Sequence, residues 1–213
     1  MSDPDFFIST PRLYISYLIA ENDAHCDFLV ELYNSPPFIA SVGGRPTSIT
    51  TRESAHIQLA GRFRAEHVRN GYGTYLISLR PDPEHNAHAD SPLTSATPIG
   101  TLSLMRGEEP NCYSAPDLGF AILPGYMRKG YAKEAAERVV QYAQEELGVE
   151  DVLGLHDPSN EASYAVFRSL GFENRGLREL KVFGDVVGLV WAKPGMAEDL
   201  SVYGLPRDAP DKA

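Results

Sequence analysis

The residues best suited to chemistry are Gly125-Tyr126-Met127-Arg128-Lys129-Gly130-Tyr131-Ala132, with two glycines, two cations and no acid. From Ala132 the apolar positions fall at Ala135, Ala136, Val139, Val140, Ala143 and Leu147, which puts one stripe on a helix. Gly148 stands where that helix would stop. A helix start carries unpaired N–H groups and a partial positive charge, so it favours an anion. Gly130 allows the backbone to approach a phosphate, and Arg128, Lys129 and Lys133 add charge within a turn. The stretch therefore reads either as a phosphate or pyrophosphate site or as a solvated basic turn leading into a packed helix.

Other reactive residue types point to less. His85 and His88 have no third and fourth ligand nearby, so a metal site is not expected. Cys26 and Cys112 are the only cysteines, too few for a disulfide framework and without zinc-ligand spacing; they read as reduced thiols. A net charge of −10 argues against a nucleic-acid backbone as partner. The acidic surface suits solubility and also a cationic small molecule or peptide. No stretch approaches the roughly 20 apolar residues of a membrane span, and the acidic N-terminus has no signal-peptide core. A cytoplasmic protein is expected, bound to no membrane.

The elements that must position the basic turn follow from patterning. With 43% hydrophobic residues over 213, a full core is available. Residues 1–9 read as a loose arm, Arg12–Leu18 as a strand and Glu21–Asn34 as a helix stopped by Pro36-Pro37. Thr50 with Glu53 resembles a capping-box start of a second helix running to Asn70-Gly71. Strands follow at Gly73–Leu79 and Pro98–Met105, joined by a long loop, with Gly100 a possible bulge. Asp117–Ile122 is the strand entering the basic turn. After the long helix come a strand at Asp151–Leu155, a helix at Glu161–Leu170, and strands at Leu177–Phe183 and Val186–Ala192 turning at Gly184-Asp185. The order is mixed α/β, a meander followed by a strand–helix–strand crossover. One domain over 10–192 is expected, with an irregular tail over 193–213.

Three motifs carry a family resemblance. Thr10-Pro11-Arg12-Leu13 is similar to an opening T-x-R-L. Tyr126 to Ala135, YMRKGYAKEA, resembles a coenzyme A loop of the form Y-[RW]-G-K-G-Y-A-x-E-A. Asn160-Glu161-Ala162-Ser163 with Leu170-Gly171-Phe172 resembles an N-x-x-S…L-G-F segment. In this order the chain resembles the GNAT superfamily of acyl-CoA N-acyltransferases, and most the branch of ribosomal-protein N-terminal acetyltransferases. The resemblance implies a mixed, mostly antiparallel α/β (α+β) sheet with flanking helices and a splay between strands 117–122 and 151–155, and acetyl-CoA as cosubstrate. It implies that Met127, Arg128, Lys129, Gly130, Tyr131 and Ala132 wrap the pyrophosphate through main-chain N–H groups. Phe120, Ala121 and Ile122 would lie along the pantetheine, Asn160 and Ser163 at the thioester end, and Phe167 and Arg168 along the remaining cofactor. Two departures stand out. Arg128 replaces the loop's glycine, and Phe167 replaces the tyrosine many members carry, which leaves Ser163 as the proton donor.

Acyl transfer to an amine needs a neutral nitrogen. A lysine-like amine of pKa ~10.4 is about 0.04% neutral at pH 7, whereas an α-amino group near 8 is about a tenth neutral. His156, placed just after a strand, has the titration range of a base; Asp117, Glu179 and Tyr164 are alternatives. The acceptor reads as a peptide or small-molecule amine, the protein as monomer or homodimer. Other classes are an acyl-CoA sensor without transfer and a nucleotide-binding regulator.

Overall fold

The computed structural model describes residues 3–81 and 91–207; His85 and His88 lie outside them. Eight strands form one sheet: β1 (Phe7–Ser9), β2 (Leu13–Tyr17), β3 (Thr74–Leu79), β4 (Thr97–Met105), β5 (Asp117–Ile122), β6 (Leu153–His156), β7 (Glu173–Leu180) and β8 (Val186–Ala192). Their order is β1-β2-β3-β4-β5-β6-β8-β7. Among the described residues the α-helices are α1 (Asp23–Tyr33), α2 (Pro36–Ser41), α3 (Arg52–Gln58), α4 (Arg64–Asn70), α5 (Tyr131–Leu147) and α6 (Glu161–Ser169). The sheet is mixed and mostly antiparallel with flanking helices, as the motifs imply. Contacts divide the chain into two units. The first is Met1–Ser103 with Phe120–Val139, the second Leu104–Gly119 with Val140–Ala213.

In the first unit, β2 pairs antiparallel with β1 and with β3, and β3 with β4. Residues 7–9, expected within a loose arm, are a strand because Ile8 finds cover and its neighbours alternate outward. Asn22 caps α1 through its side-chain oxygen. Pro36-Pro37 follow the end of α1 but also begin α2, where a missing N–H costs nothing. The capping box lies one residue later than expected: Thr51 is the cap and Ser54, not Glu53, reaches back to it. Between α3 and α4 a π-turn over Leu59–Phe63 keeps both of those side chains buried, and Gly71 ends the run at φ 78°. Leu18, Phe28, Leu29, Leu32, Leu59, Phe63 and Leu76 make this unit's core.

The bulge beside Gly100 is present. The β3–β4 register shifts between Ile77, opposite Gly100, and Ser78, opposite Pro98. Gly100 also has a steric reason, since a Cβ there would lie 2.4 Å from the Ala121 carbonyl oxygen.

In the second unit β6 pairs antiparallel with β8, and β8 with β7. Two strands differ from the sequence reading: β6 covers 153–156 rather than 151–155, and β7 covers Glu173–Leu180 rather than 177–183. Residues 181–183 turn as a 3-10 segment instead of extending the strand. Tyr113, Leu153, Leu155, Leu180, Val190, Met196, Leu200 and Leu205 form the core here, so part of the segment beyond 193 is packed.

Candidate functional site

In the first unit the basic turn is built at the end of β5. Leu123 N–H bonds the Ile99 carbonyl at 2.8 Å, then Pro124–Tyr126 makes a 3-10 turn closed by Met127 N–H to the Pro124 carbonyl. The next residues reverse handedness, with Arg128 at φ 59° and Gly130 at φ 81°. Arg128 is thus a side-chain-bearing residue in the left-handed region, at the position where the coenzyme A loop it resembles carries glycine. The turn delivers the chain into α5, whose internal ladder begins with Glu134 N–H bonded to the Gly130 carbonyl at 3.0 Å. Among the described residues, the N–H groups of Arg128, Lys129, Gly130, Tyr131, Ala132 and Lys133 have no acceptor. Of the six residues expected to wrap a diphosphate, five, Arg128 to Ala132, have amides without an acceptor among the described residues. The sixth, Met127, spends its amide inside the turn. The cations are placed unequally: Lys133 pairs with Glu137 at 2.9 Å, Lys129 lies over the Tyr126 ring, and Arg128 is exposed.

The turn is held from a distant part of the sequence. Glu134 accepts from Thr10 Oγ1 (2.6 Å), Arg12 N–H (3.1 Å) and Arg12 Nε (2.6 Å). Arg12 Nη1 donates to the Lys129 carbonyl at 3.0 Å, and its guanidinium lies 4.6 Å from the Tyr131 ring centre. Burial pushes the Glu134 carboxyl up, but the bonds from Thr10 and Arg12 hold it below its ordinary value. Sequence reasoning had no role for Glu134, Thr10 or Arg12 here; the signal was the Glu in the loop motif and the T-x-R-L motif far upstream. Phe120 and Ala121 are half-buried on β5 in this unit and Ile122 is buried.

In the second unit β5 and β6 pair at one register position, Asp117 opposite Leu153. Leu153 N–H bonds the Pro116 carbonyl, but the next inward amide, Leu155 N–H, goes to the Asp117 carboxylate at 2.8 Å instead of to a strand carbonyl. A side chain thus ends the parallel ladder while satisfying the amide the ladder would have used. Burial raises the Asp117 carboxyl to about 7, offset in part by that N–H bond.

His156, expected just past the strand, is its last residue and is buried. Its Nδ1 contacts the Asp157 carbonyl at 2.7 Å, which requires a proton on Nδ1, and Nε2 accepts from Trp191 Nε1 at 3.0 Å. Burial lowers its pKa. No lone pair is left to take a proton, so the geometry opposes the base role expected of this residue and gives it a packing role against Phe167 and Trp191. The Phe167 ring fills the space over Gly154, where a Cβ would lie 2.2 Å from it. Asn160 caps α6 by accepting from Ser163 N–H at 3.0 Å. Ser163 is half-buried, and among the described residues its Oγ has no partner. Arg168 is exposed in the last turn of α6, Tyr164 packs edge-on against Trp191, and Glu179 is exposed on β7. Among the described residues no cluster of metal-ligating side chains exists, and no helix is long and apolar enough to cross a membrane.

With this geometry in hand the relatives are informative. The Acetyltransferase (GNAT) domain family matches residues 12–173. The chain belongs to the GNAT acetyltransferase family. An uncharacterized N-acetyltransferase, YnaD, from Bacillus subtilis is 32% identical over 60 residues, 28% of this chain and 35% of that one. FsC-acetyl coenzyme A-N(2)-transacetylase of Aspergillus fumigatus is 44% identical over 55 residues, 26% of this chain and 23% of that protein. The match thus spans about a third or less of these relatives. In fold, the chain resembles RimL, a ribosomal L7/L12 alpha-N-protein acetyltransferase solved with coenzyme A, at TM-score 0.65 and 19% identity. That likeness covers 88% of this chain and 97% of RimL.

Proposed function

We propose that this protein is an N-acetyltransferase that moves an acetyl group from acetyl-CoA to a primary amine, a protein N-terminus or a small-molecule amine, by direct attack on the thioester. The observation that carries the reading is the run of six amides, Arg128 to Lys133, without acceptors among the described residues, at the head of α5 within a GNAT-family span. Such a nest of N–H groups suits a diphosphate, which coenzyme A contains. Residues 10–192 are the transferase domain in this reading, and the protein works in the cytoplasm.

Acetyl-CoA supplies an activated acyl group with a tolerable thiolate leaving group. Arg128 to Ala132 hold its diphosphate, and Phe120, Ala121 and Ile122 line its pantetheine arm. Phe167 gives α6 its seat on β6, while Arg168 adds a charge for the nucleotide end. Asp117 is the general base. A carboxyl near 7 is matched to an α-amino group near 8 far better than an ordinary carboxylate near 4. Ser163, whose hydroxyl has no partner among the described residues, supplies a proton to the departing sulfur, and Asn160 fixes the α6 start that presents it.

The test is release of free thiol from acetyl-CoA in the presence of an amine panel: peptides with free N-termini, polyamines and free lysine. Amine-dependent thiol release is expected, strongest for α-amino acceptors. Tight acetyl-CoA binding without turnover on any amine would replace the enzyme with a sensor that holds acyl-CoA. Preference for ATP over coenzyme A would remove the assignment altogether.

A further inference from the structure

We infer that Arg12, together with Glu134 and Thr10, is the positioning device of the diphosphate loop: it sets affinity for the nucleotide half of coenzyme A without touching the reacting atoms. The inference rests on the transferase reading above. A glutamate in the first turn of a helix ordinarily turns back toward the helix N-terminus, where free amides and the dipole attract it. In α5 that outcome would occupy the amides needed for a ligand anion. Here both Glu134 oxygens are taken by the connection between β1 and β2: Oε1 by Thr10 Oγ1 and Arg12 N–H, Oε2 by Arg12 Nε and Nη2. The same guanidinium reaches over Gly130, where its Nη2 lies 3.4 Å from the position a Cβ would take, and pins the Lys129 carbonyl through Nη1. That carbonyl bond fixes the peptide plane between Lys129 and Gly130, and so the direction of the Gly130 N–H. The β1–β2 connection is itself anchored, since Arg80 N–H bonds the Arg12 carbonyl and Arg80 Nη1 the Thr10 carbonyl. Arg12 therefore both withdraws a competing anion and aims an amide.

A lysine cannot do both. It lacks the planar fork that reaches Glu134 and Lys129 together, so Arg12→Lys should retain the ion pair and lose the aim.

The experiment compares coenzyme A with pantetheine, which lacks the diphosphate, by calorimetry on the full chain. Arg12→Ala should raise the coenzyme A Kd about tenfold to a hundredfold, the size of a lost charged hydrogen-bond network, and change the pantetheine Kd less than twofold. Arg12→Lys and Glu134→Gln should fall between wild type and Arg12→Ala for coenzyme A only, and they carry the test where the alanine variant does not fold. Equal weakening of both ligands means Arg12 merely stabilises the unit, and overturns the inference. So does an unchanged coenzyme A Kd in folded Arg12→Ala. Failure of the wild type to prefer coenzyme A to pantetheine is a different result, because it removes the diphosphate assignment itself.

Discussion

Replacing Arg128 by glycine separates the backbone of the loop from its charge. Arg128 sits at φ 59° on an exposed turn, and among the described residues its guanidinium makes no hydrogen bond or ion pair. Holding an L-residue in the left-handed region costs about 1–2 kcal/mol, and a glycine there avoids that cost. Glycine also gains freedom in the unfolded chain, which takes back about 0.4–1 kcal/mol, so the net stabilisation is about 0.5–1 kcal/mol. For a chain of this length that is a melting temperature higher by about 1–4 °C. The loop simultaneously loses the Arg128 charge, which should weaken coenzyme A binding by about two- to fivefold at low salt and less at high salt. Arg128→Ala is the control, because it loses the same charge while keeping the strained backbone. Its coenzyme A Kd should match that of the glycine variant while its melting temperature does not rise. Differential scanning calorimetry and titration calorimetry on the two variants give four numbers. A glycine variant that melts below wild type would refute the strain argument. Equal melting of the glycine and alanine variants would refute it as well.

Other consequences can be checked on the same protein. The wild-type rate should rise with pH through about 7 as the Asp117 carboxylate forms, and Asp117→Asn should cut turnover by about 10²–10⁴-fold. The sign for stability is the opposite. A carboxyl whose folded pKa lies above its unfolded 3.8 favours the folded state at low pH and loses that contribution as pH rises through about 7. Thermal melts of Asp117→Asn should therefore gain on wild type between pH 5 and 8; parallel melting curves would show that the carboxyl is not perturbed. Gly154→Ala would place a methyl 2.2 Å from the Phe167 ring, which is held between His156 and Trp191. Overpacking of that kind costs about 1–3 kcal/mol, and Phe167→Leu in the same chain should recover part of it in the melting temperature; no loss on Gly154→Ala alone would mean that the ring is not confined. Ser163→Ala should lower turnover about tenfold or more with the coenzyme A Kd unchanged, and turnover equal to wild type would strip Ser163 of the donor role.

Much of the fold was legible because its signals are local. The 3.6-residue stripe from Ala135 to Ala143 is the buried face of α5, and Gly148, at φ 65°, follows it as the helix stop. What was not legible depended on partners. Ile8 makes residues 7–9 a strand only because β2 lies alongside. Thr50 with Glu53 fits the capping-box pattern by residue type, yet the backbone starts the helix one residue later and Ser54 closes the box on Thr51. β7 begins four residues before its apolar pattern, since Glu173 and Asn174 are fixed by pairing with Ala192 and Trp191 and not by their own propensity. The Arg12–Glu134 clamp joins two motifs that were visible separately, but nothing in either announces that they touch.

The choice of base shows the same distinction at the level of single lone pairs. His156 attracts attention by type, because imidazole titrates near neutrality wherever it is left alone. In the folded chain it is not left alone: one nitrogen is committed to the Asp157 carbonyl, the other accepts from Trp191, and burial disfavours a second proton. Asp117 is ordinary by type, with a pKa near 4 in water. Its placement at the last paired position of two parallel strands removes water from it, and it receives one N–H bond where a stabilised carboxylate usually has two or three. A proton acceptor at pH 7 needs both an available lone pair and a pKa near that of its substrate. The histidine loses the first through its hydrogen bonds, and the aspartate gains the second through its burial. Residue type ranks these two candidates one way and environment reverses the order, so the pH–rate profile of Asp117→Asn against that of His156→Gln decides which physical property carries the reaction.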